Sequence, residues 1–237
     1  MTAAVWVVGG PSTDDREDLR YSLRSVAKNT NITEAWVVGD VPDWFTGCRI
    51  PLPPHPEKFA NQRASLTAFC EAPGVPEVFW LMNDDMYVTE PIKGDLPTFH
   101  NKGRTRDWNP DHSSVGHSSS CWTCAVRETA AWAYNFGADN PHIYECHTPL
   151  KFHRPALEEL LAVYPADRRF AVGELYPLAG VGGVGDYAGN AKVKAADSFA
   201  DKIALPMPYL SGNPDTWPGV VADYIKPMFP DPSPWEV

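Results

Sequence analysis

Two adjacent carboxylates, Asp84 and Asp85, break the apolar run Glu77-Val78-Phe79-Trp80-Leu81-Met82-Asn83-Asp84-Asp85-Met86-Tyr87-Val88. A pair of acidic side chains suits a hard cation, and Mg²⁺ in particular is usually held by one or two carboxylates together with phosphate oxygens and water. Burying both acids without partners would cost several kcal/mol, which predicts that they sit at a strand's carboxyl end and face a crevice. A cation gripping phosphate at such an edge is the chemistry of an enzyme that uses a nucleotide-diphosphate sugar. The plain alternative is a strand that ends in a solvated acidic turn.

Other residues could join that chemistry. Arg127 and Arg169 are potential phosphate clamps, because a guanidinium binds phosphate oxygens bidentately, although surface ion pairing is an equally ordinary use. His147 could be general base, general acid or metal ligand, since its unperturbed pKa lies near working pH. Cys121, Cys124, Cys146 and His147 supply the ligand types of a structural zinc. Adjacent Cys146 and His147 seldom reach one tetrahedral ion, however, and buried thiols are the simpler expectation. Gly180-Val181-Gly182-Gly183-Val184-Gly185 fits G-x-G-x-x-G but lacks the strand and helix that a dinucleotide site needs. A lid is the better functional reading, and a merely flexible loop the bland one. Trp108, Trp122, Trp132 and Trp217 offer faces on which a sugar could stack, although most tryptophans are used for packing.

These side chains must be positioned by a sheet. Ala3–Val8 reads as a buried strand, stopped by Gly9-Gly10-Pro11. Ser12 or Thr13 is placed to cap a helix with an acidic first turn, and Leu19, Leu23 and Val26 make its inner stripe. Ala35–Gly39 is a second strand, so strand, helix and strand predict a parallel pair. A proline-rich loop leads to a helix over Asn61–Phe69, and then to the strand that carries the acids. Helices are also expected over Cys121–Phe136, Leu157–Val163 and Pro214–Ile225. The pattern predicts one α/β domain with a mostly parallel, Rossmann-like sheet flanked by helices. Residues 1–95 form its nucleotide-sugar-binding half. Residues 96–237 form the acceptor and catalytic half, with the glycine-rich loop and a proline-rich tail.

Composition narrows the partners. A formal charge of −10 over 237 residues argues against nucleic acid, whose phosphates call for a basic face. No apolar run reaches the length of a membrane span, and no basic segment followed by a signal-type apolar core opens the chain. Five cysteines are an odd number in a chain large enough to fold without staples, so a reducing, cytoplasmic setting is expected.

Several blocks, in order, resemble the Stealth family of sugar-1-phosphate transferases: Asp18–Val26, Trp36–Phe45, Leu81–Asp85, Cys146–Pro149 with Leu157–Leu160 and Tyr164-Pro165, Ser211–Asp215, and Met228–Ser233. The resemblance implies a GT-A-like fold, Mn²⁺ or Mg²⁺ on Asp84 and Asp85, and a UDP-sugar donor. It further implies that Asn83 belongs to the donor site, that His147 acts at the transferred group, and that Arg127 neutralises phosphate. Asn213 or Asp215 would complete the metal or phosphate site. Lys58-x-x-Asn61-x-Arg63 resembles the segment with which GT-A glycosyltransferases hold the nucleotide. The family's opening strand carries an acid where this chain has Val5–Gly10, and its "LPTFxSxAIE" glutamate has no counterpart here. Sugar transfer and sugar-phosphate transfer therefore both stand, to a protein or glycan acceptor. A carbohydrate-recognition or scaffold module without turnover is the non-enzymatic alternative.

Overall fold

The computed structural model describes residues 2–9, 15–99, 121–138, 142–185 and 189–237. Its first half runs β1 (Ala3–Val8), α1 (Glu17–Asn29), β2 (Glu34–Gly39), β3 (Cys48–Pro51), α2 (Lys58–Glu71), β4 (Val78–Met82), β5 (Met86–Val88) and β6 (Thr98–Phe99). Its second half runs α3 (Trp122–Asn135), β7 (Leu150–His153), α4 (Arg154–Val163), α5 (Tyr176–Ala179), β8 (Val184–Gly185), α6 (Phe199–Ile203), β9 (Tyr209–Ser211) and α7 (Val220–Met228).

The central sheet has the order β3-β2-β1-β4-β7. The first four strands are parallel, and β7 lies antiparallel to β4 at the edge. This is an α/β fold with a mostly parallel, Rossmann-like sheet, as the alternation of strand and helix signals predicts. Every parallel strand of the central sheet comes from residues before 95, and the second half adds its antiparallel edge. The strand order reverses between β1 and β4, so their carboxyl ends diverge around a crevice, the usual ligand position in such sheets.

Side chains alternate across the sheet as a pleat requires. Ala3 and Val5 face a core shared with Phe69, Phe79, Phe152, Leu157 and Tyr176, whereas Ala4, Trp6 and Val8 pack with Leu19, Leu23 and Val26 of α1. A smaller cluster of Tyr87, Leu210, Trp217, Val221 and Ile225 joins β5, β9 and α7. Gly39 closes β2 at φ +113°, where a Cβ would stand 2.1 Å from the Val8 carbonyl oxygen. Only glycine allows the two strand ends to approach so closely.

The start of α1 differs from expectation. The residue before the helix is Arg16, left-handed at φ 58° and without a side-chain cap bond. Ser12 and Thr13 lie outside the described residues, as do Trp108 and most of the polar stretch after Leu96. Part of the glycine-rich segment is described: β8 pairs with β6 in parallel. The last helix begins at Val220, later than the sequence suggests, because the chain from Asn213 first folds into turns.

Candidate functional site

Asp84 and Asp85 form the turn between β4 and β5, at the strand-order reversal. The Met86 N–H returns to the Asn83 carbonyl at 3.3 Å, and the Gly212 N–H donates to the Asp85 carbonyl at 2.9 Å. The turn is held from α1 by three polar side chains that sit among its apolar residues. Ser22 Oγ donates to the Met86 carbonyl at 2.5 Å, the Val88 N–H donates to Ser25 Oγ at 3.0 Å, and Asn29 Nδ2 donates to the Val88 carbonyl at 2.7 Å. Positions 22, 25 and 29 share one helix face, so α1 hydrogen-bonds one edge of β5 while β9 pairs with the other.

Both acids line a cavity of about 580 Å³. Its walls come from Val7 and Gly9 of the β1 end, Lys58, Asn61 and Gln62 of α2, Trp122 of α3, Ile143, Tyr144, Glu145, His147 and Thr148, and Asn190, Lys192 and Lys194. Asp85 Oδ2 is 3.0 Å from Lys192 Nζ, while Oδ1 is buried without a hydrogen-bond partner. Burial, and then the neighbouring charges of Asp18 and Asp85, push the Asp84 carboxyl above its ordinary value. Arg16 offsets part of this at 3.6 Å from Asp84 Oδ2.

Arg16 does more than pair with one acid. Its guanidinium also donates to the Gly9 carbonyl at 2.6 Å and to Asp40 Oδ2 at 2.8 Å. One buried arginine thus ties together the residues that follow β1, β2 and β4. Its left-handed backbone is a conformation that non-glycine residues adopt at a cost, and such positions cluster at functional sites. Nothing in the sequence marks it, because it stands in an acidic run.

The opposite wall carries Glu145, His147 and the lysines. His147 is left-handed as well, at φ 53°, and its Nδ1 is buried without a partner. Burial, followed by the charges of Lys192, Lys58 and Lys194, lowers its pKa to about 3, so the ring is neutral at ordinary pH. Glu145 Oε1 accepts the Gly173 N–H at 2.9 Å. Burial raises its pKa to about 7 against the opposing effects of that N–H, Lys58 and Lys192. Beneath it Glu174 is fully buried and takes the Tyr144 N–H at 3.2 Å; burial, then the Glu145 charge, holds its carboxyl well above the usual range.

The predicted site residues separate into two groups. Asn61, Asn83, Asp84, Asp85 and His147 come together on the cavity. Arg63 does not: it donates to the Leu161 and Tyr164 carbonyls at 3.0 and 2.8 Å, closing the carboxyl end of α4. Arg169 pairs with Glu128, and both arginines border a second groove of about 1170 Å³ on the other flank of α2. That groove is larger but has no acid pair at a strand end, so the smaller cavity is the better site. Arg127 lies on α3, outside the residues that line the cavity. Asn213 Oδ1 accepts from the N–H groups of Asp215 and Thr216 and from Thr216 Oγ1, within 3.0 Å in each case, which makes it a turn former. Asp215 is exposed.

A divalent ion fits the acid pair in part. Asp85 Oδ1, buried and unpartnered, is the kind of oxygen a cation takes, and Asp84 adjoins it. Among the described residues no three His, Cys, Asp or Glu side chains group closely enough to hold a metal. Phosphate and water would supply the other ligands, the common arrangement for Mg²⁺. The zinc alternative finds no such support. Cys121 Sγ accepts the Cys124 N–H at the start of α3, the Cys146 thiol points to the Ile143 carbonyl, and burial pushes Cys146 up to about 12. Of the tryptophans, Trp122 faces the cavity, while Trp132 stacks on Phe136 and Trp217 on Tyr87.

No protein-family model and no curated protein matches the chain. Among the described residues no helix is long and apolar enough to cross a membrane.

Proposed function

We propose that the chain is a GT-A-like transferase that takes a sugar or sugar phosphate from a nucleotide-diphosphate sugar, probed first as a UDP-sugar, and passes it to a protein or glycan acceptor. The observation that carries this reading is the Asp84–Asp85 turn, set where the strand order reverses and open to a cavity of about 580 Å³. Breaking the donor at the anomeric carbon or at phosphorus leaves negative charge on phosphate, and stabilising that charge is usually the largest catalytic contribution. Mn²⁺ or Mg²⁺ on Asp84 and Asp85 would act as a Lewis acid toward those phosphate oxygens. Trp122, at the cavity wall, stacks on Phe59 and holds the Lys58 ammonium 4.9 Å from its ring centre.

An acceptor hydroxyl must lose its proton as it attacks. Glu145 is better matched to that task than His147, because a base works best when its pKa lies near the operating pH. At about 7 the Glu145 carboxylate can take the proton, whereas at about 3 the His147 ring holds one weakly. His147 then serves as a neutral hydrogen-bonding group at the transferred unit.

Incubation with a panel of UDP- and GDP-sugars, Mn²⁺ and candidate acceptors tests the reading. Release of UDP or GDP identifies glycosyl transfer or donor hydrolysis, and release of UMP or GMP identifies sugar-phosphate transfer. Release of neither from any donor would leave at most a binding module.

A further inference from the structure

The cavity holds a second feature, its lysines, that an acid-pair metal site does not explain. Lys58, Lys192 and Lys194 all line it, in a chain whose formal charge is −10. Lys58 opens α2, a helix of 14 residues whose amino end carries partial positive charge, and its ammonium lies 4.9 Å from the centre of the Trp122 ring. Among the described residues no carboxylate stands within ion-pair distance of Lys58 or Lys194. Lys192 reaches Asp85 from a rigid segment. The Ala191 N–H donates to the Cys146 carbonyl at 3.0 Å, the Lys192 N–H to Asn190 Oδ1 at 2.8 Å, and the Val193 N–H to the Ser211 carbonyl at 2.8 Å. Asp84 is already matched by Arg16 and Asp85 by Lys192, and the remaining cavity acid, Glu145, faces two further lysines, Lys58 and Lys194, so positive charge remains in excess.

We propose that Lys58 and Lys192 form a built-in cationic site for a diphosphate, with Lys192 bridging Asp85 and a phosphate oxygen, so that nucleoside diphosphate binds without a divalent ion. The inference rests on the donor reading above and deepens it. An ammonium has three donors; one occupied by Asp85 leaves two for phosphate. It can thus link carboxylate to phosphate as a bound metal ion would. Lys58, at the mouth of the helix and without a carboxylate of its own, supplies the second charge. The indole of Trp122 keeps that ammonium at the rim.

Calorimetric titration of UDP, GDP and inorganic pyrophosphate into the full chain, first in EDTA and then in Mn²⁺, tests this. UDP or GDP should bind in EDTA within about tenfold of its affinity in Mn²⁺. Lys192→Met and Lys58→Met should each weaken binding in EDTA by roughly ten- to a hundredfold, and Lys192→Arg should restore much of the loss. Melting curves of each variant establish that it folds. Lys58, exposed at the start of a helix, provides a variant that does not disturb the Asp85 ion pair. Binding seen in Mn²⁺ but abolished by EDTA would overturn the lysine site and leave the donor reading standing. Wild-type affinity in EDTA for both methionine variants would also overturn it. No binding of either nucleotide under any condition would overturn both.

Discussion

The Glu145 carboxyl occupies the space that a side chain on residue 173 would need: a Cβ built on Gly173 would stand 2.6 Å from Oε1, which already accepts the Gly173 N–H at 2.9 Å. The obstructing atom is the tip of a flexible side chain, so in Gly173→Ala the carboxylate moves and the backbone stays. Stability should change by about 1 kcal/mol, at the low end of the cost of overpacking. If Glu145 is the proton acceptor, transfer should fall by roughly a hundredfold. Calorimetric melting and nucleotide release measure the two effects separately. A large drop in melting temperature would instead make the contact a packing element.

The bonds from α1 to β5 predict a different pattern. In Ser25→Ala the Val88 N–H loses its partner inside the fold, and in Asn29→Ala the Val88 carbonyl loses its own. A buried group left without a hydrogen bond costs about 1–3 kcal/mol. For a domain of this size that corresponds to about 2–12 °C of melting temperature. The neighbour Lys28, whose ammonium donates to the Met228 carbonyl at 2.8 Å on the exposed side of α1, serves as the comparison. Lys28→Ala should cost less because water can replace that bond. Equal melting temperatures for all three variants would show that β5 is held by β9 alone.

The sequence displays what is periodic and hides what is assembled. Leu19, Leu23 and Val26 announce one face of α1 by spacing alone, and the apolar runs of β1, β2 and β4 announce a buried sheet. The acid pair could be placed at a strand end because two carboxylates cannot remain inside an apolar run. Ser22, Ser25 and Asn29 occur on that same buried face, yet their bonds to β5 span 59 to 64 positions of the chain. The acid pair's cationic partners are remote too, with Lys192 facing Asp85 across 107 positions. Arg63 and Arg169 illustrate the converse. A guanidinium is legible as an anion seeker, but whether it finds phosphate, Glu128 or the carbonyls of a helix end is decided by packing. The same holds for Asn213, whose oxygen is taken by its own turn.

Glu145 should leave a mark on the pH dependence of stability. Below the ordinary glutamate pKa both the folded and the unfolded chain carry its proton, and the residue adds no pH-dependent cost. As pH rises toward about 7 the unfolded chain gives up the proton first, so the native state loses stability progressively; above that the loss is constant. Glu145→Gln lacks this loss. Its melting temperature relative to wild type should therefore climb between about pH 4.5 and 7.5 and then level off. Glu174 contributes with the same sign. Because the Glu145 charge helps to hold its carboxyl up, the variant also relieves part of the Glu174 cost, which adds to the difference in the same direction. Parallel melting curves across the range would show that the Glu145 carboxyl titrates normally and is a poor choice of base.

Asp85 separates function from folding most sharply. Removing one member of a buried ion pair commonly costs 3–5 kcal/mol, because the other charge is stranded. Here Lys192 borders a cavity large enough for water, so in Asp85→Asn its ammonium can be rehydrated, and the unpartnered Oδ1 no longer carries part of a buried charge. The loss of stability should therefore stay near 1 kcal/mol, while donor turnover disappears. Asp85→Asn and Lys192→Met should be less than additive in stability when combined, since each removes the other's partner. A full double-mutant cycle by chemical denaturation measures that coupling. Strict additivity would mean that the 3.0 Å ion pair contributes nothing in solution, and a loss of several kcal/mol from Asp85→Asn alone would make this aspartate a structural residue.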